Sequence, residues 1–185
     1  MDYVQVIDAD IDRGKLSQEV EHLIKSHNLE KYTQVSLTSI GGNDDWFCSV
    51  GKIKDIKHPE RYYSVINHAL VGTYIHELIL KYSSFYRWRL MKLTPKTTYT
   101  IHPDGDQNHN NFRLHIPVIT NPECFLCFFN QKPETGKDIN VRYEHLPVGK
   151  SYEVNTTNLH TAVNYSFTDR YHIVGVRYEN SDNRT

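Results

Sequence analysis

Cysteine is scarce in this chain, with three in 185 residues: Cys48, Cys124 and Cys127. An odd and sparse count argues against a disulfide framework and fits a reducing cytoplasm. A dominant charge is missing too. Twenty-one basic residues face 22 acidic ones, for a net charge of −1 with His neutral. So even a balance gives no case for nucleic acid or an anionic membrane surface as a partner. No apolar run approaches the ~20 residues of a membrane-spanning helix. The opening stretch MDYVQVIDADIDRGK lacks the apolar centre of a secretory signal. The expected location is therefore the cytoplasm. Internal repeats, linkers and low-complexity tracts are also lacking.

What the chain does have is length for one sizeable core, since two halves would each be marginal. The segment RGKLSQEVEHLIKSHN, residues 13–28, places Leu16, Val20, Leu23 and Ile24 on one helical face. ERYYSVINHALVGTYIHELILKY, residues 60–82, reads as a longer second helix with Pro59 at its start. Between them TQVSLTSI predicts a strand and GGNDD a turn. From Phe85 onward the texture changes to short β-rich segments: YRWRLMKL, TTYTIH, FRLHIPVI, CFLCFF, INVRYEHL, SYEVN, HTAVNYS and YHIVGVRY. Turn chemistry separates them, as in Pro103-Asp104-Gly105-Asp106 and Thr120-Asn121-Pro122. This predicts a mainly β fold with flanking helices, a jelly roll or small barrel. Residues 1–84 would form the helical flank with its extra strand, 85–178 the β core and 179–185 a loose tail.

Eleven histidines and thirteen tyrosines stand out, and most of the histidines must be bystanders. Cys124 and Cys127 form a C-x-x-C, but no second pair or spaced His pair stands near to complete a zinc site. The same residues read more simply as a buried strand. The concentrated chemistry lies in YTIHPDGDQNHNNFRLHIPVIT, residues 99–120. On a strand, residues two apart point to one side, so His102 and Asp104 can share a metal ion. The bland alternative is that Asp104 merely serves the turn. A third ligand would come from a distant strand, and His160 in HTAVNYS is the natural choice. Two imidazoles and a carboxylate on one face of an ion leave positions open, an arrangement suited to non-haem Fe(II).

The arginines point to a cosubstrate. Arg170 follows His160 by ten residues, past a turn-like FTD, so an antiparallel return would bring it back toward the metal. A planar guanidinium is the natural partner of a carboxylate. That matches the distal carboxylate of 2-oxoglutarate, whose keto-acid end chelates iron. The bland reading of Arg170 is a surface ion pair with Asp169. Arg113 and His115 form a second i, i+2 pair, able to hold the other carboxylate or the substrate. Arg87, Trp88 and Arg89 alternate on their strand, so that Arg89 points toward the pocket and Trp88 away, or the reverse, and an interior role for either arginine stays open. Asn164 shares the His160 face and either lines the site or braces a neighbouring strand. His109 reads as a solvated loop residue and His172 as a packed core histidine.

The text RWRLMKLTPKTTYTIHPDGD, then FRLHIPVITNPECFLCF, then GKSYEVNTTNLHTAVNYSFTDRYHIV resembles the aspartyl/asparaginyl β-hydroxylase-like branch of the Fe(II)/2-oxoglutarate dioxygenases. The resemblance runs from about Arg87 to Tyr178, half of the chain. It implies a double-stranded β-helix, the cupin-like form of the jelly roll. It implies His102, Asp104 and His160 as iron ligands and Arg170 as partner of the distal 2-oxoglutarate carboxylate. Arg113 and His115 resemble the family's Arg-x-His, which contacts the carboxylate beside the keto group. Some members acting on protein domains have glycine at the carboxylate position. Asp104 departs from that pattern and agrees with related hydroxylases of free proline, so an aspartyl or asparaginyl protein substrate does not transfer directly.

The resulting expectation is an enzyme that uses Fe(II), 2-oxoglutarate and dioxygen to hydroxylate an amino-acid side chain, free or in a peptide. The competing reading from another class is a cupin-like binding module without catalysis, though such members usually lose a ligand or the arginine. A metal-dependent isomerase, or a dioxygenase without 2-oxoglutarate, would have no need of Arg170. The segments Gln107 to Asn111 and Asn130 to Asp138 are expected to border the pocket.

Overall fold

The computed structural model describes residues 3–53, 57–104, 109–134 and 137–180; of residues 109, 110 and 178–180 it describes the backbone alone. The chain opens with strand β1 (Val4–Asp8), which the sequence analysis did not predict, and helix α1 (Arg13–Ser26). Asp12 caps that helix, its carboxylate accepting from Gly14 N and Lys15 N at 3.0 Å each. The predicted strand at 33–40 appears as two pieces, β2 (Gln34–Ser36) and β3 (Thr38–Ser39).

The long helix expected over 60–82 is a correction. Only its last third is α-helical: α2 spans Tyr74–Lys81. Before it come two single 3₁₀ turns and the short strand β4 (Val65–Ile66), paired with β3. Tertiary hydrogen bonds defeat the helical pattern here. Asn67, fully buried, donates its side-chain amide to Ser36 O at 2.9 Å and its backbone N–H to Leu37 O at 3.0 Å. Gly72 then takes φ +83°, which breaks the helix register. Thr73 restarts it by accepting from His76 N. Glu19 of α1 accepts from Tyr74 N and Ile75 N at 2.8 and 3.0 Å, tying the two helices together.

Beyond Phe85 the predicted strands appear in order. They are β5 (Tyr86–Leu93), β6 (Thr97–Thr98), β7 (His109–Ile119), β8 (Cys124–Phe129), β9 (Val141–Glu144), β10 (Ser151–Asn155), β11 (His160–Asn164) and β12 (Arg170–Asn180). They form two antiparallel sheets, one of order β1-β10-β7-β12-β5-β2 and one of order β6-β11-β8-β9. The architecture is the mainly β, double-sheet jelly roll with flanking helices that the strand pattern predicts.

Alternation along the large sheet divides its two faces. Trp88 and Leu90 of β5, Leu114 and Ile116 of β7 and Ile173 of β12 point outward and pack beneath Leu16, Val20 and Leu23 of α1 and Ile75 and Leu78 of α2. The opposite face carries Arg89, Met91, Arg113, His115 and Val174 toward the small sheet. A second apolar cluster, with Leu93, Leu126, Phe128, Tyr152, Val154 and Ala162, fills part of the space between the sheets. Cys124 and Cys127 are buried strand residues, 1% and 4% exposed, with free thiols. Among the described residues no helix is long and apolar enough to cross a membrane.

Candidate metal centre and cosubstrate pocket

The segment TTYTIH makes only two residues of regular strand, then runs beside β11 through isolated contacts. His102 and His160 form a bridge, each backbone N–H donating to the other's carbonyl at 3.1 and 3.0 Å. Asp104 N donates to Thr156 O at 2.8 Å. These bonds bring three side chains to one point. The potential ligand atoms of His102, Asp104 and His160 all lie within 4.8 Å of one another. His102 Nε2 is 3.6 Å and His160 Nε2 3.9 Å from the Asp104 carboxylate.

The histidines are oriented for metal. His102 Nδ1 donates to Thr100 O at 2.6 Å and His160 Nδ1 to Asn158 O at 2.8 Å. Each bond consumes Nδ1 and leaves the Nε2 lone pair toward Asp104, the outer-shell arrangement that fixes a ligating imidazole. Burial alone would raise the Asp104 carboxyl, but the Arg113 guanidinium and the adjacent His102 outweigh it and hold the group well below the usual carboxylate range. Burial pushes the His160 imidazole down, toward the neutral form that binds metal. His102 moves the other way, raised by the neighbouring Asp104 carboxylate. Two nitrogens and one anionic oxygen suit a first-row divalent ion.

These residues open into a cavity of about 520 Å³ between the sheets. Arg113, His115 and Arg170 all line it. Arg113 Nε donates to Asp104 Oδ2 at 2.9 Å, while its Nη1 is buried without a hydrogen-bond partner. That orphan donor fits an incoming carboxylate oxygen. Arg170 is 6% exposed and lies against the His172 ring, with Nε donating to Nε2 at 3.0 Å. Burial lowers its guanidinium to about 10, so it remains a cation at neutral pH. The surface pair between Arg170 and Asp169 does not form; Asp169 pairs with Lys92 at 2.9 Å. Burial lowers both His115 and His172, which touch through Nδ1 at 3.3 Å. Leu93, Leu126, Ala162 and Val174 supply apolar wall between these charges.

Of the remaining expectations, some hold and others do not. Asn164 braces strands and is absent from the cavity wall: its amide donates to Leu93 O and Thr168 O at 2.8 Å each. His172 is a packed core histidine, 2% exposed. Gln107, Asn108 and the His109 side chain lie outside the described residues. None of the described residues between Asn130 and Asp138 lines the cavity, which corrects that part of the predicted border. The outer wall comes from the flank: Gln34, Gly51, Lys52 and Glu60. No chemical motif marks these residues, and only the packing of the flank against β5 places them there.

Both Arg87 and Arg89 face inward. The register between β5 and β12 skips from Val174↔Arg89 to Val176↔Tyr86, a bulge with Gly175 on the opposite strand. Arg87 sits in the bulge at φ +50°, a left-handed conformation costly for a side chain with a Cβ. An ion pair with Glu60 and bonds to Ser49 O and Gly51 O hold it. Neither the bulge nor the strained residue is legible in YRWRLMKL.

No protein-family profile matches the sequence, and no curated protein matches it. Solved structures match in shape. AviO1 from Streptomyces viridochromogenes Tue57 aligns over 98% of this chain and 91% of its own, at 10% identity and TM-score 0.52. The non-heme alpha ketoglutarate dependent epimerase SnoN from nogalamycin biosynthesis aligns over 97% and 78%, at 11% identity and TM-score 0.53. HygX from Streptomyces hygroscopicus, solved with nickel and 2-oxoglutarate bound, aligns over 97% and 83%, at 9% identity and TM-score 0.52. At these identities the likeness is one of fold, and the chain has the cupin-like fold of these proteins.

Proposed function

We propose that this chain is an Fe(II)- and 2-oxoglutarate-dependent oxygenase that hydroxylates an amino-acid side chain, free or within a peptide. Residues 1–185 act as one domain with the site in 85–178. The observation that carries the reading is the convergence of His102, Asp104 and His160 with the buried cation Arg170 in a single cavity. Solved proteins of the same fold whose names include 2-oxoglutarate or alpha ketoglutarate support it. The resemblance to the aspartyl/asparaginyl β-hydroxylase-like branch belongs to this proposal.

In this reading His102, Asp104 and His160 hold the metal, and their backbone-anchored Nδ1 atoms keep both Nε2 lone pairs aimed at it. Arg170 pairs with the distal carboxylate of 2-oxoglutarate, a charge-assisted contact strengthened by burial. Arg113 and His115 seat the carboxylate beside the keto group, and Arg113 Nη1 gains the acceptor it lacks. Bound there, Fe(II) with 2-oxoglutarate supplies oxidative decarboxylation coupled to insertion of one oxygen atom of O₂ into a substrate C–H bond. The protein supplies binding, orientation and a dry wall. A cupin-like binding module without catalysis would have no use for an intact donor set and a spare buried arginine.

The test is anaerobic titration of the Fe(II)-loaded protein with 2-oxoglutarate, following the weak visible charge-transfer band of the chelate. A saturable band, lost in Arg170→Ala, is the expected result. Bound iron with no band on adding 2-oxoglutarate would refute the cosubstrate.

A further inference from the structure

Four arginines line the cavity: the proposed function uses Arg113 and Arg170, and Arg87 is paired with Glu60. Arg89 is left over. It is 6% exposed, and its one hydrogen bond is from Nη1 to the neutral Gln34 Oε1, at 3.2 Å. Its Nε is buried without any partner. Among the described residues, the nearby acids are already engaged. Glu60 pairs with Arg87 and Asp104 with Arg113. A buried guanidinium without an anion is costly to the folded protein, because its hydration is lost and nothing replaces it. Stability alone would not keep such a group facing a cavity.

Its position separates it from Arg170, which the oxygenase reading pairs with the distal carboxylate of 2-oxoglutarate. Arg89 pairs in register with Val174, and Val174 with His115, so the three form one row across the sheet. Arg170 stands four residues from Val174 along β12, roughly 13 Å away at strand rise. Arg89 and His115 are two strand spacings apart, about 10 Å. Gln34, which also accepts from Gly51 N at 2.9 Å, braces the Arg89 guanidinium from the flank. Arg89 therefore presents a second cationic pole in the same cavity, away from Arg170 and beside the outer wall.

We propose that Arg89 receives a carboxylate of the primary substrate and so selects substrates with a free acid group. This rests on the oxygenase reading, which assigns both carboxylates of 2-oxoglutarate to other residues. A free amino acid and a peptide carrying an acidic side chain share that chemistry. The fork of Nε and one Nη offers two parallel N–H donors, the geometry that a carboxylate matches and a carboxamide does not.

The experiment is calorimetry on Ni(II)-loaded protein with saturating 2-oxoglutarate. One arm uses the free amino acids and their carboxamides; the other uses end-blocked dipeptides bearing Asp or Glu against those bearing Asn or Gln. We expect at least one acid to bind tenfold or more tightly than its amide, and the arm in which it does identifies the source. In Arg89→Gln that discrimination disappears while 2-oxoglutarate affinity stays within about threefold, and Arg89→Lys restores part of it. The melting temperature of unliganded Arg89→Gln should hold or rise, whereas a purely structural arginine would lower it. Equal binding of acids and amides, or no binding in either arm, overturns the inference. So does a tenfold loss of 2-oxoglutarate affinity in Arg89→Gln, which would make Arg89 a cosubstrate ligand. If wild-type protein binds no 2-oxoglutarate, the oxygenase reading fails, and the acid–amide comparison on the Ni(II) protein alone still decides Arg89.

Discussion

Gly175→Ala should destabilise the protein, although the same change at an unconstrained strand position would help. A Cβ built at Gly175 lies 3.0 Å from three ring atoms of Trp88, Cδ2, Cε2 and Cζ2. Trp88 cannot easily retreat. It is fully buried, its indole N–H donates to Phe85 O at 3.1 Å, and it packs among the residues under α1 and α2. Overpacking of this kind costs ~1–3 kcal/mol, and the reduced freedom of the unfolded chain returns ~0.4–1 kcal/mol. The net expectation is a loss of about 1–2 kcal/mol, or about 3–6 °C in melting temperature for a chain of this size. The assay is urea unfolding of four proteins: wild type, Gly175→Ala, Trp88→Phe and the double variant. Removing the second indole ring opens the space that the new methyl needs. In the Trp88→Phe background the alanine should therefore cost less than about 0.5 kcal/mol. Equal losses in both backgrounds would refute the steric argument and place the effect in the backbone of β12.

Four shorter predictions follow from the same contacts. His102→Ala and Asp104→Ala should each lose metal binding by calorimetry while remaining folded; near-normal affinity in both would remove the proposed centre. Arg170→Ala should weaken 2-oxoglutarate binding at least tenfold with metal affinity retained, and an unchanged cosubstrate affinity would count against its role. Asn164→Ala leaves Leu93 O and Thr168 O without their donor, so it should cost about 2–3 kcal/mol with metal stoichiometry intact; an unchanged melting temperature would contradict the bracing role. The Asp8 carboxyl is lowered chiefly by its hydrogen bond from Lys81, so its stabilisation is fully present above the unfolded carboxyl value of ~3.9 and lost as pH falls through the lower folded one. Asp8→Asn should therefore cost about 0.5–1 kcal/mol at pH 7, a deficit that shrinks in strong acid; a deficit independent of pH would mean the charge is not its source.

The candidate cluster was legible because its chemistry is local in kind. His102 and Asp104 stand two apart, Arg113 and His115 likewise, and all four lie where strand alternation sends side chains to one side. His160 and Arg170 could be read because a short turn between β11 and β12 leaves an antiparallel return as the simplest path. The β core was legible for a related reason: period-two alternation and turn residues are properties of the chain that burial does not reverse.

What the tertiary structure alone decided depends on contacts between distant segments. The apolar pattern over 60–82 favours a helix, yet Asn67 bonds to Ser36 and Leu37 across the fold and Gly72 turns left-handed, so the pattern yields. β1 became a strand because β10 offered an edge to pair with. Alternation puts Arg87 and Arg89 on one face of their strand, and the packing of Trp88 and Leu90 under the helices decided that this face is the cavity's. The spare charge of Arg89 could not be read from RWRLMKL. A guanidinium is unpaired only when every neighbouring acid has found another partner, and those neighbours come from strands and flank segments far apart in the chain.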